Sequence, residues 1–249
     1  MKRILFYLMF FVVAMGVSQN QQWFDQGNEL YNQGKYAEAI TRYEKVLESG
    51  KHSAELYFNL ANAHYKLNHI APSIYNYEKA LRLAPNDKAI KNNMAFAKNM
   101  TIDAIDVIPE VGLTRFLKAV TNTFGFDGWA YLSIGTMLVF VIAYLLYYFN
   151  TATARKRLAF VLGLLFLALS VTALAFAFHK YNLDQNNKPA IIFAQETQVK
   201  SEPNLRSVEA FKLHEGTKVQ ILDTVNEWKQ IKLSDGKTGW VPSQDLKAL

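Results

Sequence analysis

Five histidines are the side chains best equipped for acid–base work or metal ligation, and their spacing organises neither. His52, His64, His69, His179 and His214 are scattered, and the separation of His64 from His69 does not put both on one helical face as an H-E-x-x-H pair would. There is no G-x-S-x-G, no phosphate-cradling P-loop and no supported carboxylate pair. Cysteine is absent, which removes disulfides, thiol nucleophiles and thiolate metal sites. The chain is expected to be no enzyme and to need no cofactor or metal. One tight cluster of charge remains, Arg155, Lys156 and Arg157 in NTATARKRLAF, and its chemistry is that of a topology determinant.

That reading depends on what flanks the cluster. Trp129 to Phe149 and Leu158 to Phe178 are runs of 21 residues without a charge, the length that spans a hydrocarbon core as a helix. The Leu, Val and Phe residues of the second run favour insertion by about 4 to 8 kcal/mol. Trp129 and Tyr131 at one end of the first run, with Tyr144, Tyr147 and Tyr148 at the other, stand where amphipathic rings anchor at headgroups. Transmembrane helices are expected over 129–149 and 158–178, joined by a cytoplasmic loop at 150–157 that carries the three cations. Both flanking parts then lie outside the cytoplasm. The opening MKRILFYLMFFVVAMGVSQ agrees, since Lys2 and Arg3 before an apolar core have the form of a secretory signal peptide, placed at 1–18.

Charge supports the same division. Of the net +6, residues 4–110 contribute −1, residues 111–188 contribute +5 and residues 189–249 contribute nothing. Both parts outside the apolar region are electrically balanced, so the pI of 9.3 reflects membrane flanks and implies no nucleic-acid partner.

Residues 20–53 and 54–87 repeat with a period of 34. Gly27 pairs with Ala61, Asn28 with Asn62, Ala39 with Ser73, Tyr43 with Tyr77 and Leu47 with Leu81. The period and the residue types resemble tetratricopeptide repeats, with Trp23, Gly27, Ala39 and Tyr43 in the first copy and Tyr57, Leu60, Ala61, Ala80 and Pro85 in the second at signature positions. Gln26, Ser73 and Lys51 depart from the pattern. Asp87 can cap a further helix over 88–104 with Ile90, Met94 and Ala97 on one face. Two and a half repeats are few for an independent solenoid, so a partner surface is expected to complete the array.

The tetratricopeptide resemblance implies a concave face, lined by the first helix of each pair, that binds extended peptides or helices. Here that face would carry Asn28, Tyr31, Asn59, Asn62, Lys66 and Asn93, whose amides can meet backbone donors and acceptors. Phe24, Ala89 and Asn93 occupy the family's cationic clamp positions, so no carboxylate clamp is expected. A linker over 105–128 follows, in which Leu113, Phe116, Leu117, Val120 and Phe124 fall at helical spacing with Arg115 and Lys118 off that face. An interfacial helix and an ordinary core helix are equal readings of it.

After a linker at 179–189 the pattern changes to short alternating runs broken by turns. Asp235-Gly236 signals a tight hairpin, and about five strands in a small barrel are expected over 190–249. GWVPSQDL, with LHEGTKV upstream, resembles bacterial SH3-like (SH3b) domains, some of which hold cell-wall peptides. Trp228 and Trp240 are the aromatic candidates for a ligand surface, and strict alternation puts Trp228 opposite Ile231 and Leu233.

The fold class expected is a multidomain membrane protein: an all-α tetratricopeptide solenoid, a two-helix transmembrane hairpin and a small all-β SH3-like barrel. That order resembles the BatE-type proteins of the Bacteroides aerotolerance operon. The resemblance implies an inner-membrane scaffold with both soluble domains periplasmic, working with von Willebrand factor A-domain membrane proteins and a MoxR-type ATPase in aerotolerance or envelope stress. A wall-tethering module that binds peptidoglycan peptides through the barrel is the alternative.

Overall fold

The computed structural model describes residues 19–105 and 112–249, so the signal-peptide segment 1–18 lies outside the described residues. The chain forms two compact units. One comprises the repeats and the barrel, the other spans 108–188.

In the first unit, α1 (19–32), α2 (Tyr36–Glu48), α3 (Ala54–Lys66), α4 (Ile70–Leu83) and α5 (Lys88–Lys98) follow one another as antiparallel neighbours. Local chemistry sets their ends. The Ser53 side chain accepts from Leu56 N at the start of α3, and Asp87 accepts from Ala89 N and Ile90 N at the start of α5. The turns within the two repeats each need a left-handed residue, which Gly34 (φ 77°) and Asn68 (φ 62°) supply one period apart. α5 stops at Lys98, short of the expected 104, because residues from Thr101 onward are drawn to the barrel.

The repeat pairs are packing pairs. A Cβ on Gly27 would run into the Tyr43 ring, and in the second copy the Ser73 hydroxyl donates to Ala61 O at 3.1 Å. Ala39, Ile40, Tyr43, Leu56 and Leu60 form the first core; Ala61, Ile74, Tyr77, Ile90 and Ala97 belong to the second.

The barrel is an antiparallel sheet of seven strands in the order β3-β2-β6-β5-β4-β1-β7. They are β1 (Pro189–Ile192), β2 (Glu196–Lys200), β3 (Glu209–His214), β4 (Lys218–Val225), β5 (Trp228–Lys232), β6 (Thr238–Pro242) and β7 (Leu246–Ala248), two more than expected because β1 and β7 are very short. β5 and β6 turn through Asp235-Gly236, with Gly236 at φ 90° and Leu233 N donating to Lys237 O. All four residues of β1 are buried, because Ile192 faces the barrel core while Ile191 lies in the second core of the array. A continuous apolar run is what a strand covered on both faces requires.

The partner that closes the array is therefore the chain's own barrel. Tyr75 meets the Phe193 ring edge-on at 5.7 Å, and Lys247 Nζ sits 4.8 Å from the Tyr75 centroid. Glu78, buried on α4, accepts from Lys218 of β4 at 2.7 Å and pairs with Lys98 of α5 at 3.8 Å. Asp103 accepts from His214 N at 2.7 Å, contacts His214 Nδ1 at 2.7 Å and accepts from the Thr217 hydroxyl. Burial works against the Asp103 carboxylate, but these hydrogen bonds prevail and hold its pKa below the ordinary value. Gly216 (φ 86°) passes so close to Ile70, Ile74 and Thr101 that a Cβ there would meet all three.

The second unit contains α6 (Leu113–Thr121), α7 (Phe126–Phe149) and α8 (Thr153–Asn186). α7 and α8 are long and apolar enough to cross a membrane and pack along each other as a hairpin. Small residues, among them Ala143, Gly163, Ala173 and Ala177, are buried between them. Between the helices Ser133 donates to Ser170 O at 3.0 Å and Ser170 to Ser133 O at 2.9 Å. Both helices outrun the apolar runs. Arg155, Lys156 and Arg157 thus lie in the first two turns of α8, and only residues 150–152 are non-helical where a loop at 150–157 was expected. Arginine and lysine are good helix formers, and nothing ends a helix at the edge of an apolar run.

Candidate functional site

α1, α3 and α5, the first helices of successive pairs, carry the four asparagines of the expected groove, and the structure links them. Asn28 Oδ1 accepts from the Tyr43 hydroxyl at 2.8 Å and from Asn59 Nδ2 at 2.9 Å. One period later Asn62 Oδ1 accepts from the Tyr77 hydroxyl and from Asn93 Nδ2 at 3.3 Å. Tyr43 and Tyr77 are buried, and burial pushes both phenols well above their ordinary pKa, so they remain donors. The ladder narrows what the amides can offer a ligand. Asn28 and Asn62 have spent their carbonyls and present N–H, whereas Asn59 and Asn93 keep theirs as acceptors. In the order Asn28, Asn59, Asn62, Asn93 the groups left over thus alternate between donor and acceptor.

The other two groove candidates stand apart from the ladder. Tyr31 packs edge-on against Tyr36 with ring centroids 5.2 Å apart, and burial, then Tyr36, raises its pKa. Lys66 is exposed at the end of α3 with no ion pair among the described residues.

Trp228 and Trp240 share the outer face of the sheet. The register pairs Trp228 with Pro242 and Gln230 with Trp240, while Ile231 and Val241 point the other way into the core. Trp228 lines a concavity of 460 Å³ with Leu205, Glu227, Pro242, Ser243 and Gln244; Trp240 is not part of its wall. The Ser243 hydroxyl is buried there and has no hydrogen-bond partner among the described residues. Leu205, 81 % exposed on the β2–β3 connection, forms an apolar rim. Sequence reasoning missed Leu205, Glu227 and Ser243 because they come from three separate connections, which only strand pairing brings together.

His64 and His69 are also closer than their spacing implies. The turn before α4 brings their Nδ1 atoms to 3.2 Å, and burial, then His69, lowers the His64 pKa to about 4. Among the described residues no third ligand joins them, and no group of His, Cys, Asp or Glu suited to a metal is found.

Two family models describe the array, a TPR repeat over 27–68 and a tetratricopeptide repeat over 54–87, and a bacterial SH3 domain model covers 196–247. The chain carries tetratricopeptide repeats and a bacterial SH3 domain. No curated protein matches the chain. Both kinds of domain are interaction modules, and the three matches do not extend to α5, β1 or the apolar hairpin. The strand that joins array to barrel thus lies outside all of them.

Proposed function

We propose that the chain is a non-catalytic scaffold of the bacterial inner membrane, whose repeat array captures a peptide or helix of a partner protein. The observation that carries this reading is the twice-built amide ladder, Asn28 with Asn59 and Asn62 with Asn93, whose unspent donors and acceptors alternate along one face. The hairpin of α7 and α8 crosses the bilayer with Arg155, Lys156 and Arg157 on the cytoplasmic side, leaving both folded ends in the periplasm. A reporter active only in the cytosol, fused after Leu249, is expected to stay silent. Photocrosslinkers at Asn59 and Asn62 of the membrane protein are expected to trap a discrete partner; a smear, or no product, would remove the groove assignment. By resemblance to BatE-type proteins, von Willebrand factor A-domain membrane proteins of an aerotolerance or envelope-stress system with a MoxR-type ATPase are the first partners to test.

A second reading, tethering to peptidoglycan peptides, is favoured by the unsatisfied Ser243 hydroxyl beside Trp228. Because Ile191 ties the barrel to the array, the test uses the whole detergent-solubilised protein on purified sacculi. Retention abolished by Trp228→Ala supports tethering, and flow-through of the unmutated protein excludes it.

A further inference from the structure

α6 places Leu113, Phe116, Leu117 and Val120 on one face, and only the C-terminal end of that face is covered. Val120 packs against the cluster of Trp129, Ala173 and Ala177. Trp129 Nε1 donates to Thr121 O at 3.0 Å, and Lys180 Nζ donates to Asn122 Oδ1 at 3.1 Å. The rest of the face is bare: Leu113, Phe116 and Leu117 are 71 %, 64 % and 46 % exposed, and Phe124, just beyond the helix, is 46 % exposed. In water these side chains forgo much of the stabilisation that burial would give, a heavy cost for a helix of nine residues.

The two fastenings fix the depth of the helix. Trp129 opens the first apolar run, and Lys180 stands just past the end of the second. The C-terminal end of α6 is therefore held where the apolar surface of the hairpin gives way to polar residues. Tyr131, Leu132 and Phe178, at that same end of α7 and α8, are exposed, so the bare face of α6 continues an apolar surface already present. Resting on the reading that α7 and α8 cross the bilayer, we propose that α6 lies in the headgroup–acyl boundary of the outer leaflet, with lipid as its occupant. Leu113, Phe116, Leu117 and Phe124 enter the acyl chains and Arg115 stays on the headgroup side. A second copy of the chain is the weaker occupant, because a stable dimer buries about 1,200 Å² or more and four side chains on one short helix supply only a fraction of that.

The chain has no cysteine, so single introduced thiols can be labelled without background. In full-length protein reconstituted into phosphatidylethanolamine–phosphatidylglycerol nanodiscs, nitroxides would be placed by Leu113→Cys, Arg115→Cys, Phe116→Cys, Leu117→Cys and, at mid-span, Leu165→Cys. Collision rates with oxygen and with a water-soluble nickel chelate are then compared. Positions 113, 116 and 117 are expected to favour oxygen severalfold over position 115 and to resemble position 165. Nickel access at all four α6 positions with 165 shielded overturns the proposal and leaves the membrane hairpin standing. Low access to both reagents at 113, 116 and 117 overturns it in favour of a protein contact. Nickel access at 165 overturns the hairpin reading, and the α6 proposal with it.

Discussion

The contact between array and barrel joins segments distant in sequence and the contact between α7 and α8 joins two consecutive helices, and the two do so by opposite chemistry. The first buries Glu78 and half-buries Asp103, and surrounds them with cations, an imidazole, a hydroxyl and a backbone N–H. The second buries two serines that satisfy one another among small residues. A contact assembled in water must distinguish itself from hydration, and fully paired buried ions give it a single geometry. A contact between two helices that are apolar all round depends on close approach of small residues and on leaving no polar atom unmatched.

Five experiments would break or sharpen that contrast. The largest effect is expected from Gly216→Val, which forces a β-branched residue to φ 86° and drives it into Ile70, Ile74 and Thr101. A loss of about 4 kcal/mol, seen in hydrogen exchange as opening of α4 and β1 with α7 and α8 unchanged, is the expected outcome. Next is Asp103→Ala, which strands the His214 and Thr217 donors at a cost of about 3 kcal/mol.

Asp103 also gives the array–barrel contact an acid limit. Its folded pKa lies below the unfolded one, so its contribution is complete above the ordinary carboxylate value and is lost as pH falls through the folded pKa. Denaturation of the full chain in detergent across that range should show the loss, and Asp103→Asn should flatten it.

His64 acts higher on the scale. With its pKa lowered to about 4 in the folded chain, the unfolded state binds the extra proton between the ordinary histidine value and pH 4. The array should lose about 2 kcal/mol on acidification through that window after allowance for solvent screening, and His64→Gln should remove the slope. No titratable group takes part in the Ser133–Ser170 contact, so acid should leave it alone.

The smallest effect belongs to that serine pair. Ser133→Ala alone is expected to weaken the hairpin by about 1 kcal/mol while the Ser170 hydroxyl keeps its bond to the backbone O of residue 133, and the double change to alanine should cost about as much again. Steric trapping in bicelles would measure both.

These differences in chemistry also decide what could be read in advance. The hairpin was legible because each of its helices is built on one contiguous apolar run of a length that stands out in the sequence. The repeats were legible because each copy must present the same faces to its neighbours, so Gly27 and Ala61, Tyr43 and Tyr77, and Asn28 and Asn62 recur at one period. Even the left-handed turn residues, Gly34 and Asn68, keep that interval and offered a further signal.

The array–barrel contact was not legible in the same way. Asp103 and His214 are 111 residues apart, and Glu78 and Lys218 are 140 apart, with no periodicity to relate them. The one local hint was the doubly apolar PAII of β1, which required a second covered face without naming its cover. The concavity beside Trp228 escaped for the same reason.

By itself the sequence determined the kinds of element, the repeat, the two apolar spans and the side of the sheet on which Trp228 stands, because all of these follow from local periodicity and hydropathy. Only the tertiary structure decided that the barrel completes the array, that the asparagines divide into donors and acceptors, and that α6 is fastened at one end and bare at the other. Such features depend on which distant atoms compete for the same hydrogen bond or the same volume, and the fold alone settles that competition.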